Sequence, residues 1–366
     1  MNSKRILFID YLRTIGFLLV FTGHLFIRFW RDQTYISKET FFKPLYFIPI
    51  ARWSLFFEKY QIDLGIVGVG IFFLITGFLV PLSIKKLSYK YFLFRRFFRI
   101  YPIYLFALII TLFSLFISAK MNGVILSYKF IDFLGNFLLI GNFLNIRAFD
   151  MVVWTLWIIV NYYVLAGLFY VKKPTSSIWL FLSSLAFLLI TFISNFLYKN
   201  LAGNEWYFGL LKTFSYSFIY FIFINIGVAL NCLYYHYWPL KKFLVSWIAL
   251  SSLFYLAVLF GETFGFSYYI RIGFSISFIL FLFFLLIDRF LKKFSLITFF
   301  SSISYPVYLI HRTNGYILLA YLISIKISPR MALILTISLI ILVSFLINRL
   351  GEKLTSSTTT ATPWKS

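Results

Sequence analysis

Apolar residues in this chain run on for lengths that no water-soluble helix or strand requires. Between residues 6 and 348 the runs repeatedly exceed the ~18 apolar positions that suffice for an α-helix to cross a bilayer. In hydrocarbon every backbone N–H and C=O must be paired within the protein, so only helices and closed barrels can span. The ~10-residue alternation of a transmembrane barrel is absent, which leaves helices. Composition agrees: 61% of the 366 residues are hydrophobic, 23% aromatic and 12% charged, against about 25% charged in soluble domains. The fold class is therefore an all-α polytopic integral membrane protein with about ten transmembrane helices.

The spans fall near 6–28, 62–82, 101–119, 152–170, 178–197, 214–235, 243–260, 267–287, 296–323 and 330–348. The stretch 127–147 is apolar but interrupted by Gly and Asn, and reads as interfacial or re-entrant, with an eleventh span as the competing count. Lys and Arg concentrate in one set of short connections, among them Lys4 and Arg5, Lys85 to Arg99, Lys172 and Lys173, and Arg289 to Lys293. The positive-inside rule places those connections, and both termini, in the cytoplasm. The opening Lys4 and Arg5 precede a long apolar run with no small-residue cleavage site, as in an uncleaved signal anchor. Residues 1–350 read as one transmembrane domain with no soluble module, and 351–366 as a short disordered cytoplasmic tail.

A net charge of +23 would raise nucleic-acid binding in a soluble protein. Without a recognition module, basic loops meeting anionic lipid headgroups explain it better. Cys232 is the single cysteine, which excludes an intramolecular disulfide and a cysteine-rich metal site.

Inside the first span, DYLRTIGFLLVFTGHLF (10–26) carries Asp10, Arg13 and His24. Eleven positions at ~100° each bring Arg13 and His24 within about 20° of one face, about 16 Å apart along the axis. Asp10 stands one turn before Arg13, placed to pair with it. A plain structural role would make Asp10 and Arg13 an orienting pair and His24 a bond to a neighbouring helix. Ionisable groups within a span more often face a cavity or a substrate path.

IDYLRTIGFLLVFTGH (9–24) resembles the opening of the membrane-bound acyltransferase-3 family, whose first helix carries an Arg, ten residues, then a His. GVGIFFLITGFLVP (68–81) is similar to that family's Phe-Phe…Ser-Gly-Phe stretch, with Thr76, Gly77 and Phe78 in the last three places. FLFRRFFRIYPIYLFAL (92–108) resembles its Arg-Arg-x-x-Arg-Ile-Tyr-Pro signature through Arg95, Arg96, Arg99 and Ile100 to Pro102. SSISYPVYLIHRTNGY (301–316) is similar to its late Ser-Tyr…Tyr-Leu-x-His stretch. The four motifs stand in order and the resemblance covers most of the chain. WTLWIIVNYYVLAG (154–167) departs from it: Asn161 stands where the family often has a Glu, so no role borrowed for that acid transfers. The glycines of GIVGVG read independently as close helix packing. Residues Ser304, Tyr308 and His311 share a helix face, and counting from Lys292 and Lys293 puts His311 at a depth like that of His24. A packing and a catalytic role are both open for His311. His236 reads as part of an aromatic belt.

The resemblance implies an acyltransferase of the cytoplasmic (inner) membrane of a bacterium, carrying an acyl group, with acetyl expected, from cytosolic acetyl-CoA to a hydroxyl of a surface glycan or lipid-linked oligosaccharide. His24 would be the base, or be acylated itself as a relay, Arg13 (with Asp10) would hold the donor or the developing oxyanion, and His311 is a further catalytic candidate. The guanidiniums of Arg95, Arg96 and Arg99 form a compact polyanion site suited to the coenzyme A phosphates. No metal and no nucleic acid are expected; membrane lipid is. Two rivals remain open: a carrier or flippase moving a glycan or lipid-linked precursor without acyl chemistry, and a glycan polymerase or ligase.

Overall fold

The computed structural model describes residues 6–45, 52–85, 87–146, 148–170, 175–201, 206–261 and 265–360. These form helices and connections, with no strand among the described residues. Helix α1 is α-helical over Leu7–Thr22, π-helical over Gly23–Arg28 and α-helical again over Phe29–Arg31. The others are α2 (Gln33–Thr40), α3 (Arg52–Lys59), α4 (Leu64–Ile84), α5 (Tyr89–Met121), α6 (Phe130–Phe137), α7 (Val153–Tyr170) and α8 (Ser177–Asn200). They continue as α9 (Trp206–Tyr234), α10 (Leu240–Phe260), α11 (Ser267–Leu286), α12 (Ser295–Ile310), α13 (Thr313–Ser324) and α14 (Pro329–Thr360). Among the described residues, eight helices are long and apolar enough to cross a bilayer, and Val153–Gly167 and Ser295–Ile310 are shorter apolar helices. All ten coincide with the expected spans. Large apolar side chains such as Ile109, Phe113 and Phe116 on α5 and Leu189, Phe192 and Ile193 on α8 stay exposed, an outer surface that only lipid would cover.

Helix α4 is the centre. It packs on α1, α9 and α11, while α8, α9 and α10 pack successively beside it. A second group, α5, α12, α13 and α14, packs mutually, and α1 touches both groups through α4 and α12. Without a hydrophobic drive between helices in lipid, close approach depends on small residues and polar links. A Cβ on Gly68 would run into the Gly16 carbonyl of α1, and one on Gly77 into the Ile224 carbonyl of α9. Gly23 and Gly65 approach likewise, a Cβ on Gly23 meeting Gly65 N at 2.8 Å. The glycines of GIVGVG are thus packing residues, as their spacing suggests. Asn225 links three helices: it accepts from Tyr162 Oη at 2.7 Å and donates to Ser184 Oγ at 2.8 Å. Asp288 fixes the start of α1, accepting from Phe8 N at 3.3 Å and from Tyr234 Oη at 2.7 Å.

Three local expectations change. The third span, expected at 101–119, begins at Tyr89, so the arginines ride on the first turns of a membrane helix rather than in a loop. The sequence YKYFLFRRFFRI contains no helix breaker to delay it. The ninth span, expected as one helix over 296–323, is two, with His311 and Arg312 at the break. Among the described residues of 127–147 stands the short helix α6 followed by turns, too short to cross a bilayer as the competing eleventh span. Helix α14 continues to Thr360, into the tail expected to be disordered, aided by Asn348 Nδ2 donating to Glu352 Oε1 at 2.9 Å. Residues 361–366, like Lys4 and Arg5, lie outside the described residues.

Because Gly77 has carbonyl oxygen rather than a movable side chain against it, Gly77→Val should force α4 and α9 apart. Overpacking of this kind costs about 1–3 kcal/mol. The expected result is a lower unfolding midpoint in detergent by scanning fluorimetry, with less monodisperse protein recovered.

Candidate active site

The two helix groups leave a cavity of about 450 Å³ between them, lined from α1, α4, α5, α7, α12 and α14. Its volume falls within the ~300–1,000 Å³ usual for small-molecule sites. Arg13, Arg96 and Arg99 all line it. Arg96 is held by a bond from Nη2 to Ser83 Oγ at 2.8 Å, with its guanidinium 4.8 Å from the centre of the Tyr163 ring. Arg99 is exposed into the same space. Arg95 is exposed on another face and does not line the cavity; one residue on a helix turns the side chain by ~100°. The three-arginine cluster is therefore a pair, Arg96 and Arg99, joined by Arg13 from a different helix. Asp10 lies within electrostatic reach of Arg13, and its Oδ1 accepts from Ser301 Oγ at 2.7 Å. It ties α1 to α12 beside the cavity. Glu352, from the last helix, stands at the same wall.

Toward the other end of α4 the cavity is lined by Phe72 and Tyr308, whose ring centres are 5.6 Å apart and nearly perpendicular. Tyr308 Oη shares a hydrogen bond with Thr155 Oγ1 at 2.6 Å. Behind Tyr308, with ring centres 5.9 Å apart, lies His311, and the His24 ring is 5.1 Å beyond that. The two histidines placed at similar depth from sequence are thus neighbours. His311 Nδ1 faces the carbonyls of Tyr308 (2.8 Å) and Val307 (3.2 Å). Carbonyls only accept, so Nδ1 carries the proton and Nε2 keeps its lone pair. That Nε2 is buried with no hydrogen-bond partner among the described residues. His24 Nδ1 is 2.9 Å from Tyr316 Oη, and its Nε2 lies 3.7 Å from the point a Cβ on Gly65 would occupy.

Both histidines sit where the helix is irregular, His24 in the π-helical turn of α1 and His311 at the α12–α13 break. π-Helical turns often accompany functional sites. Broken backbone at membrane depth is tolerated where protein surrounds it, and Arg312 supplies the anchor. This guanidinium is only 2% exposed and is bonded to Glu39 Oε2 (3.1 Å), Asp150 Oδ1 (3.4 Å) and the Tyr35 hydroxyl. Asp150 Oδ2 also accepts from Thr313 N at 3.3 Å, at the start of α13. Burial outweighs the pull of Arg312 and holds the Tyr35 phenol above its ordinary pKa, so Tyr35 stays neutral. Arg312, Glu39, Asp150 and Tyr316 are absent from the sequence-based site. The signal that could have found them was Arg312 itself, a charge inside an apolar run that demands a partner. Asn161 is turned to its own helix, donating to the Trp157 carbonyl at 2.9 Å, and His236 belongs to neither part of the site.

A family model described as an acyltransferase domain, that of acyltransferase family 3, matches residues 6–349. No curated protein and no solved structure matches the chain.

Removing the Arg312 guanidinium leaves two carboxylates unpaired, a loss of about 3–5 kcal/mol where such a pair is buried. Arg312→Ala should lower the unfolding midpoint far more than Arg95→Ala. Arg312→Lys should recover only part of it, since an ammonium cannot fork between Glu39 and Asp150. Scanning fluorimetry of the three purified variants checks the order.

Proposed function

The chain belongs to the acyltransferase-3 family, a membrane acyltransferase, and from that premise we propose that its donor is cytosolic acyl-CoA and its acceptor a glycan hydroxyl. The acyl group is acetyl, and the acceptor is a surface polysaccharide or its lipid-linked precursor at the cytoplasmic membrane of a bacterium. The observation carrying this reading is the convergence of Arg13, Arg96 and Arg99, from two helices, on one cavity whose lining Tyr308 packs against His311, itself the neighbour of His24. Like charges held on one cavity repel, and a polyanionic ligand converts that repulsion into binding. The phosphates of coenzyme A are such a ligand. Arg96 and Arg99 lie at the end of the cavity nearest the first turns of α5, which the positive-inside rule assigns to the cytoplasm.

The chemistry follows from placement. The thioester enters past Arg96 and Arg99 and directs its carbonyl toward Tyr308 and the imidazoles beyond. His24, held by Tyr316 through Nδ1, takes the proton of the acceptor hydroxyl at Nε2, in the space left by Gly65. The hydroxyl oxygen attacks the carbonyl carbon, and Arg13 offsets the negative charge that develops on the donor side. The C–S bond breaks, coenzyme A leaves as its thiolate, and the proton returns to that sulfur. An ester and a free thiol are the products. His311, ring to ring with His24 and with an unengaged Nε2, offers a second acceptor for the travelling proton.

The test is glycan O-acetyl content in a deletion strain complemented with matched levels of wild type or variants. His24→Ala should lower acetylation by about 10²–10⁴-fold, the usual contribution of a general base. In membrane vesicles, Arg96→Ala and Arg99→Ala should raise KM for acetyl-CoA by about tenfold each, the loss of one charge-assisted contact. Arg95→Ala should leave KM unchanged. If glycan export or chain length, rather than acetylation, depends on the gene, the acyl-CoA and glycan assignments fall.

A further inference from the structure

Resting on the acyl-CoA and glycan reading above, we infer that Asp63 holds the acceptor, its carboxylate accepting from a hydroxyl on the carbon next to the one that His24 deprotonates. The surroundings of Gly65 carry this. Leaving aside its chain neighbours and its own helix backbone, only two atoms of the described residues come within 4 Å of the point where a Cβ on Gly65 would stand. They are Asp63 Oδ1 at 3.0 Å and His24 Nε2 at 3.7 Å. The other glycines of GIVGVG differ: a Cβ on Gly68 would meet the Gly16 carbonyl, and one on Gly70 the Ser277 side chain. Gly65 lends its backbone to the contact with Gly23, yet the direction its own side chain would take is bounded by an imidazole and a carboxylate.

Both groups have capacity left. His24 Nδ1 is engaged with Tyr316, while Nε2 makes no hydrogen bond among the described residues, and the side chain is only half-buried. Asp63 caps α4, its Oδ1 accepting from Ile66 N at 3.1 Å. That bond fixes the carboxylate and uses one of its roughly four lone-pair sites. Asp63 too is half-buried, and among the described residues it forms no ion pair. The two atoms can be no farther apart than the sum of their distances from one point, a gap that one sugar ring with two of its hydroxyls can bridge. A carboxylate only accepts, and so does the lone pair of a neutral imidazole, so a ligand fitting both must bring two donors. Hydroxyls on adjacent ring carbons supply them. One gives its proton to Nε2 and its oxygen to the ester; the other keeps its proton and donates to Asp63. The transfer balances as before: the ester C–O bond forms, the C–S bond breaks, and the proton taken at Nε2 leaves on the coenzyme A sulfur. Asp63 stands at the end of α4 opposite Lys85 and the arginines, the outer end by the positive-inside rule. Donor and acceptor thus come to His24 from opposite ends of one helix.

The experiment uses the full-length protein in lipid vesicles, given acetyl-labelled acetyl-CoA and the unacetylated glycan or lipid-linked precursor extracted from a deletion strain, whichever wild type labels. Asp63→Asn keeps the cap, since Asn and Asp cap helices about equally well, and removes the charge. It should raise KM for the acceptor about tenfold, the loss of one charge-assisted bond, and leave KM for acetyl-CoA unchanged. Gly65→Ala sets a methyl against both groups without meeting the backbone of another helix. It should move the acceptor KM the same way, serving also if the Asn variant does not fold. Asp32→Asn alters another capping aspartate, which accepts from Tyr35 N at 3.3 Å, and should change neither constant. Periodate cleaves vicinal diols, so the deletion strain's glycan should consume more of it than wild-type glycan, by at least one molecule for each acetyl group. The proposal is overturned if an active, folded Asp63→Asn or Gly65→Ala variant keeps the wild-type acceptor KM, or raises the acetyl-CoA KM as much. It is equally overturned if Asp32→Asn matches them, or if acetylation leaves periodate uptake unchanged. Those outcomes leave an active acyl-CoA enzyme. Vesicles in which wild type labels no acceptor from acetyl-CoA would instead remove the acyl-CoA reading, and the acceptor site with it.

Discussion

Everything in the site depends on how closely α1 can lie against α4. Backbone contact between them is possible because Gly16 faces Gly68 and Gly23 faces Gly65 with no Cβ between. Lipid offers no hydrophobic drive for helices to associate, so the approach must come from dispersion and short-range polar contacts, which small residues permit. Arg13 and His24 are both carried on α1. Its seating therefore sets at once where the cavity receives its third guanidinium and where the imidazole meets Tyr316. The same device, Gly77 against Gly227, seats α4 on α9. The central helix is clamped on two sides and can act as a fixed ruler between the arginine end and the histidine end.

What sequence could reveal followed the strength of the underlying constraint. Spanning helices were legible because hydrocarbon leaves the backbone no alternative, and all ten expected spans contain helix. Arg13 and His24 could be singled out because a charge or imidazole in an apolar run is costly, and Arg96, Arg99 and His311 through motifs that resemble the family's. The break at His311 and Arg312 was not legible. The run from 296 to 323 stays apolar, Pro306 lies a turn and a half before the break and Gly315 after it, and neither marks the spot. The break is held by Glu39 and Asp150, which are 273 and 162 positions from Arg312. No local pattern encodes contacts of that range. Arg95 illustrates the opposite error, since adjacency in sequence suggested a shared site that the helical turn prevents.

Charge is handled differently at the two ends. Around the cavity, guanidiniums outnumber carboxylates and Arg99 is open to the interior space. Around Arg312 the balance is closed: a buried cation is met by two carboxylates and a phenol. A buried charge is tolerable only when its partners satisfy it, and here those partners also fasten α2, the turn at Asp150 and the start of α13 to one point. That fastening lets His311 leave the regular helix while its Nδ1 stays bonded to carbonyls of its own turn.

Discontinuous helices near the membrane midplane also occur in carriers, where half-helix ends hold substrates and ions. The feature separating the two uses is what the break presents. In a carrier the freed backbone groups face the transported ligand. Here the freed amide of Thr313 is taken by Asp150, and Asp150 in turn by Arg312, so the backbone is already satisfied inside the protein. What remains unengaged is a side-chain atom, His311 Nε2, beside a second imidazole. The irregular backbone is thus already satisfied within the protein, unlike the ligand-facing break of a carrier.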